Sequence, residues 1–324
     1  MSATVIYQEL GYGITCIDTQ LHRRGLACCY LIEHNGAVGF IDTGTNNSVP
    51  ILLEVLKKKH LAIEQVVYLM PTHIHLDHAG GTGSLIKHFP KATVLIHPRG
   101  ARHIINPEKL ERGAVAVYGE EAFSNFFGNL SPIDESRVRQ MKDGEMLDFN
   151  GRILEFLHAP GHAFHHYCIW DKTSRGIFSG DTLGASYPEL NNGRARFIFP
   201  PSTPVQFDPA LWPQTIDRLM EYQADRIFVT HFGMHKNIEP LMLMLKRSIR
   251  DYSETALELG ALIRSSDVNS ESLASSIQQS IEQASINYLL DQQCGLDAIA
   301  IKELIASDMN LNAQGLVHWL SSQN

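Results

Sequence analysis

Short apolar segments, several rich in Val, Ile, Tyr and Cys, recur along the first forty positions and predict β-strands over Thr4 to Gln8, Ile14 to Asp18, Ala27 to Glu33 and Ala37 to Asp42. The period then changes. Over Pro50 to His60, Ile51, Val55 and Leu56 share one helical face and Lys57 to Lys59 the other, and Gln65 to Met70 returns to a buried strand, a β-α-β unit. Gly80-Gly81 opens a predicted helix to about Phe89, and Ala92 to His97 is another strand. Residues 99 to 130 are mixed and mostly helical, which suits an insertion over a functional site. A second β-rich half begins near Val138 and runs through Glu145 to Phe149, Arg152 to His158, His166 to Trp170 and Gly176 to Ser179. A helix over Pro209 to Tyr222 precedes the last predicted strand, Arg226 to Thr230. Pro200-Pro201-Ser202-Thr203-Pro204 reads as a rigid extended connection near the site.

Beyond His235 the pattern is helical again, with Leu241, Leu245, Ile249, Tyr252, Ala256, Leu259 and Ile263 on one stripe and shorter helical stretches after it. Two β-rich halves with helices on both outer faces form an α/β sandwich. The expected organisation is a catalytic domain over 1–237 and a helical segment over 238–324 that caps a cleft, completes the core or makes a homodimer contact.

Composition narrows the function classes. The 44% apolar and 19% charged content is that of an ordinary globular chain. Twenty-seven Lys plus Arg against 35 Asp plus Glu leave a net charge of −8, without a basic run to neutralise phosphates, so nucleic acid is excluded as a partner. The first residues lack a basic stretch followed by an apolar one, so the expectation is a cytoplasmic protein with no membrane anchor. Cys16, Cys28, Cys29, Cys168 and Cys294 have no zinc-like spacing and fit reduced, buried thiols.

The chemistry sits between residues 71 and 81. Pro71-Thr72-His73-Ile74-His75-Leu76-Asp77-His78-Ala79-Gly80-Gly81 places three imidazoles and a carboxylate within six positions, a density that packing does not explain. On an extended backbone His73 and His75 point to one side, and the turn into the glycines swings Asp77 and His78 to a neighbouring point, so one loop can seed two adjacent metal sites. Three later turns that follow strands carry the same kinds of donor: His162 in Ala159-Pro160-Gly161-His162, Asp181 in Ser179-Gly180-Asp181-Thr182, and His231 in Val229-Thr230-His231-Phe232-Gly233.

In this order the motifs resemble the metallo-β-lactamase superfamily, in which a strand-terminal Asp, H-x-H-x-D-H, a Gly-His, a Gly-Asp and a final His recur. The match spans about residues 27 to 235 and is most similar to the hydroxyacylglutathione hydrolase (glyoxalase II) branch, through Thr72 to Gly81 and Ala159 to His166. The resemblance implies a four-layer αββα sandwich with a C-terminal helical extension. It implies one metal on His73, His75 and His162, a second on Asp77, His78 and His231, and Asp181 bridging them, with Asp42 orienting ligands. Zinc is the default, and iron or manganese tolerate the same donors.

The activity implied is that of a binuclear hydrolase. A metal-bridging hydroxide would cleave an ester, thioester or lactone of a small molecule, with Asp77 and Asp181 as the catalytic carboxylates. Phosphodiester or sulfate-ester hydrolysis is the alternative within hydrolysis, and an iron-dependent oxidoreductase of the persulfide dioxygenase kind the alternative outside it. Asp77 with His78 argues against a true β-lactamase. The sequence departs from the glyoxalase II pattern where Ala163 and His165 replace Thr and Gly, which bears on glutathione specificity. Candidate substrate contacts are His97, Arg99, Arg102 and His103 after a strand, Tyr118 and Tyr187 as hydroxyl donors, and His165.

Overall fold

The computed structural model describes residues 5–192, 194–264 and 270–323. In chain order the elements are β1 (Tyr7–Gly11), β2 (Ile14–Asp18), β3 (Cys28–His34), β4 (Ala37–Ile41), α1 (Val49–Lys58), β5 (Val66–Met70), α2 (Leu76–Ala79), α3 (Thr82–Leu85) and β6 (Thr93–Ile96). There follow α4 (Pro98–Ile105), α5 (Glu108–Tyr118), α6 (Glu120–Phe126), β7 (Val138–Gln140), β8 (Glu145–Phe149), β9 (Arg152–His158), β10 (Tyr167–Asp171) and β11 (Gly176–Gly180). The chain ends with α7 (Trp212–Met220), β12 (Arg226–Val229), β13 (Gly233–Lys236), α8 (Ile238–Arg264), α9 (Ser270–Asp291) and α10 (Ala298–Ser322).

These elements divide into two compact units, one of Met1–His158, His165–Gly180 and Ala224–Lys236, the other of Ala159–Phe164, Asp181–Gln223 and Asn237–Asn324. The first holds both sheets. A seven-stranded sheet runs β1-β2-β3-β4-β5-β6-β7, antiparallel as far as β4 and parallel beyond it, and a six-stranded sheet runs β13-β12-β11-β10-β9-β8. Alternation along β3 shows why they stack: Cys28, Tyr30 and Ile32 face the second sheet, where Phe149, Phe156, Tyr167, Phe178 and Phe228 meet them. Cys29 and Leu31 take the opposite face with Val38 and Phe40 of β4, against Leu52 and Val55 of α1 and Ala101 and Ile104 of α4.

The second unit is mostly helical. In α10, Ile301, Ile305, Met309, Leu316 and Leu320 are buried along one stripe, and α9 buries Ile277, Ile281 and Leu289. Asn310 Nδ2 donates to Gln278 Oε1 at 3.0 Å and Lys302 pairs with Glu282 at 3.1 Å, tying these two helices together.

Two expectations need correction. Arg226–Val229 is not the last strand, because β13 pairs with it antiparallel from Arg226↔Lys236 to Val229↔Gly233; its sequence, Gly-Met-His-Lys, is half-exposed at the sheet edge and carries no apolar alternation. The predicted helix from Gly80 to Phe89 starts earlier, at Leu76, and is broken into α2, α3 and a 3₁₀ turn over Ile86–His88. The C-terminal stretches form two helices of 22 and 25 residues, shorter than the 27 of α8 as expected, with Ser285 and Asn312 among their buried positions. Thr4, where the first predicted strand begins, and the side chain of Ile263 lie outside the described residues.

Candidate metal centre

β4 ends at Ile41 and delivers Asp42, fully buried and in left-handed backbone at φ +56°. Its carboxylate gathers the ends of three strands. Oδ1 accepts the Thr72 N–H at 2.7 Å and the Thr72 hydroxyl at 2.9 Å, after β5, and Oδ2 accepts the Thr230 hydroxyl at 2.7 Å, after β12. The remaining partner is His78, whose Nδ1–H donates to Oδ2 at 2.8 Å. A carboxylate only accepts, so this contact puts the His78 proton on Nδ1 and the lone pair on Nε2.

His231 is fixed in the same way, by donating Nδ1–H to the Leu26 carbonyl at 2.9 Å. Its Nε2 then faces Asp77 Oδ2 at 3.1 Å, and His78 Nε2 lies 3.4 Å from the same oxygen. Ligand atoms of Asp77, His78 and His231 all lie within 4.8 Å of one another. Two imidazole lone pairs and a carboxylate oxygen converging on one point are stable only around a proton or a cation. Burial alone would push the Asp77 carboxyl up, but positive charge on the His78 and His231 imidazoles, a proton on Nε2 where a cation would otherwise sit, holds it well below the ordinary carboxylate range.

His73 and His75 stand beside this group in the first unit. Their rings are 4.4 Å apart, and the His73 ring is 4.0 Å from that of His78. A second rank of imidazoles backs them: the His166 ring stacks on His73 at 4.6 Å, and His165 meets His75 edge-on at 5.4 Å. Gly180, at the end of β11, makes room for that stack. It sits at φ +48°, and a Cβ there would come within 2.5 Å of Thr72 Oγ1 and 2.6 Å of His166 Nε2.

The second unit holds the other two donors on its own frame. His162 Nε2 and Asp181 Oδ2 are 3.4 Å apart. His162 Nδ1–H donates to the Pro201 carbonyl at 2.6 Å, so the proline-rich connection serves as the acceptor that sets this ring. Trp212, buried at the start of α7, closes the frame: its indole N–H donates to the Thr182 carbonyl at 2.7 Å, and its ring lies 5.8 Å from His162, edge-on. Gly161 (φ +137°) is required here, because a Cβ would meet Trp212 Cβ at 2.4 Å. Thr215 Oγ1, one turn along α7, donates to the Pro160 carbonyl at 2.6 Å.

The proposed substrate contacts fall in several places. His97 is buried at the start of α4, accepts the Arg99 N–H at 3.1 Å on Nδ1 and packs 4.0 Å from the His158 ring. Burial first, then His158 and Arg99, push its pKa down to about 3. Arg99 and Arg102 are exposed on α4, and Arg102 Nε donates to His103 at 3.1 Å. His165 is buried beside His73 and His75 as above. Tyr187, in the second unit, is buried and donates to Asp308 at 2.8 Å. The Tyr118 side chain lies outside the described residues. The helical stretch between residues 99 and 130 does form, as α4 to α6, and packs Phe123 and Phe127 on Leu76, next to Asp77.

Sequence reasoning passed over Thr72, Thr230 and His166. A signal existed for the first two: both metal-site histidines 73 and 231 are preceded by threonine, and both threonines give their hydroxyl to Asp42. His166 holds the last place of the Ala159 to His166 motif, but its stacking on His73 is visible only in three dimensions.

Comparison with known proteins places this geometry. The profile of the Metallo-beta-lactamase superfamily matches residues 23–231. A metallo-beta-lactamase fold-containing protein of Sulfurisphaera tokodaii is 24% identical over 64% of this chain and 74% of its own length. A hydroxyacylglutathione hydrolase of a Synechococcus strain is 29% identical over 44% of this chain, and an acyl-coenzyme A thioesterase of Homo sapiens 26% identical over 55%. The match spans 46% of the former relative and 66% of the latter. Among solved structures, a metallo-beta-lactamase family protein of Thermus thermophilus aligns over 97% of this chain and 95% of its own at a TM-score of 0.66 and 19% identity, a likeness of fold. The fold is therefore the α/β metallo-β-lactamase fold with C-terminal helices, and its His and Asp groups imply divalent metal. Among the described residues no helix is long and apolar enough to cross a membrane.

Proposed function

The chain belongs to the metallo-beta-lactamase superfamily, and from that membership we propose that it is a metal-dependent hydrolase of small-molecule esters, thioesters or lactones. It holds two divalent ions, zinc by default. One sits on His73, His75 and His162, the other on Asp77, His78 and His231, and Asp181 is shared by both. Thioesters are the class to test first, because two relatives are a hydroxyacylglutathione hydrolase and an acyl-coenzyme A thioesterase by name. A reducing, cytoplasmic compartment suits its five buried free thiols.

The observation that carries this reading is the convergence of His78 Nε2, His231 Nε2 and Asp77 Oδ2, with each imidazole's proton committed elsewhere, to Asp42 and to the Leu26 carbonyl. That donor set, imidazole nitrogen with carboxylate oxygen, fits a borderline divalent cation. Bound there, the metal would supply Lewis acidity and lower the pKa of water to about 7. The chain's own residues do the rest. Asp42 holds the His78 proton and keeps Nε2 available as a donor. Asp77, ionised, takes a proton from the attacking water and passes it to the leaving group. His165 and His166 exclude solvent behind His73 and His75.

Chelator treatment of the purified protein is expected to abolish thioester hydrolysis, and zinc to restore it. Activity persisting in a His75→Ala, Asp181→Ala double variant contradicts the proposal.

A further inference from the structure

The loop between β2 and β3, Thr19 to Leu26, belongs wholly to the first unit. It is firmly built. Asp18 accepts the Gln20 N–H on Oδ1 at 2.8 Å and the Gly25 N–H on Oδ2 at 3.0 Å, so one carboxylate closes both ends. Gln20 and His22 take left-handed backbone, φ +56° and +52°, which tightens the turn.

Two contacts connect this loop to the metal centre. Leu26 gives its carbonyl to His231 Nδ1, so the loop and that imidazole are held in one register. At the tip, the His22 ring lies edge-on to Phe126 of α6, with centroids 4.3 Å apart, and within electrostatic reach of Asp77. Arg23 and Arg24 come next, and Arg24 is exposed. From Thr19 to Ile32 the sequence has no acidic residue, in a chain whose net charge is −8. Asp18 takes its hydrogen bonds from two main-chain N–H groups, and Arg24 and Arg23 act on its carboxyl through charge alone.

We infer that the loop tip, His22 with Arg24, is a subsite for an anionic group of the substrate, a carboxylate or phosphate carried several bonds from the scissile carbonyl. The Arg24 guanidinium offers a planar pair of N–H donors, and the His22 ring, two residues earlier in the same loop, offers another. Phe126, 40% exposed, supplies an apolar wall beside His22. This inference rests on the hydrolase reading for the reaction but not for the binding.

Its test is calorimetric titration of the metal-loaded protein with three non-hydrolysable thioethers of equal length, ending in a carboxylate, a phosphate or a neutral amide. An anionic ligand is expected to bind about tenfold or more tighter than the amide, as a charge-assisted hydrogen bond provides, and the margin to shrink with salt. Preference for one anion names the group. Arg24→Gln and His22→Asn, the latter chosen because Asn tolerates left-handed backbone, are expected to reduce that preference about tenfold together. Arg247→Gln, an equal loss of charge on an exposed face of α8, is expected to preserve it. Equal binding of all three ligands by the natural protein, or a preference intact in the Arg24→Gln, His22→Asn double variant, overturns the inference. Turnover of the matching thioesters separates the two readings: charge-selective binding without hydrolysis refutes the hydrolase and keeps the subsite, whereas equal hydrolysis of all three keeps the hydrolase and refutes the subsite.

Discussion

His78 in the first unit and His162 in the second are both buried, and both donate the Nδ1 proton to oxygen, but the oxygens differ in kind. His78 gives it to the Asp42 carboxylate, at 2.8 Å, and His162 to the main-chain carbonyl of Pro201, at 2.6 Å. A carboxylate partner makes the opposite nitrogen a stronger donor, while a carbonyl chiefly fixes the ring's tautomer and direction. The surroundings differ accordingly. Asp42 anchors Thr72, Thr230 and His78 in one polar network, whereas His162 rests on an aromatic frame of Trp212 with a glycine packed beneath it. One region holds its donors by charge, the other by shape.

Substitutions that strike one region and spare the other test this contrast. Asp42→Ala is expected to have the largest effect. It strands four buried hydrogen-bond donors, which costs on the order of 3 kcal/mol or more in a denaturant titration, and weakens metal affinity about 10- to 100-fold. Asp42→Asn keeps the left-handed backbone and isolates the charge; affinity equal to that of Asp42 removes the case for a carboxylate. Trp212→Phe is expected to cost about 1–3 kcal/mol by leaving the Thr182 carbonyl without its indole partner, with a smaller loss of metal than Asp42→Ala. Thr230→Val removes a single hydroxyl from the Asp42 network and is expected to cost about 1 kcal/mol, read as a shift in the denaturation midpoint.

The smallest effect at neutral pH comes from an imidazole in the first unit outside the Asp42 network. His97 is neutral in the fold, with its pKa lowered from 6.5 to about 3 by burial, His158 and Arg99. The unfolded chain therefore binds the extra proton between those values, so the contribution is full above about 6.5 and is lost as pH falls toward 3. Stability of His97→Asn is expected to fall less steeply over that interval than that of the natural chain. A parallel acid limb in both proteins refutes it.

Much of this arrangement was legible in the sequence because strand ends announce it. Ile14 to Asp18, Glu145 to Phe149 and Arg152 to His158 form strands with those limits, since period-2 alternation and flanking turn residues agree there. The donors after strands were legible only jointly, since a lone His after a strand is more often a surface or hydrogen-bonded residue and it is the recurrence of His162, Asp181 and His231 in order after the 73–78 cluster that points to metal. What the sequence hid is contact at a distance. Nothing near Pro201 marks it as the acceptor for His162, and Trp212 reads as an ordinary helical apolar residue until Gly161 is seen beneath it. β13 escaped because an edge strand need not alternate.

Metal stoichiometry tests the central claim most directly. Purified from zinc-supplemented medium and dialysed, the natural protein is expected to retain two ions per chain by elemental analysis. An Asp77→Ala, His231→Ala variant, folded by circular dichroism, is expected to retain one. Two ions retained by that variant, or none by the natural chain, would contradict the account.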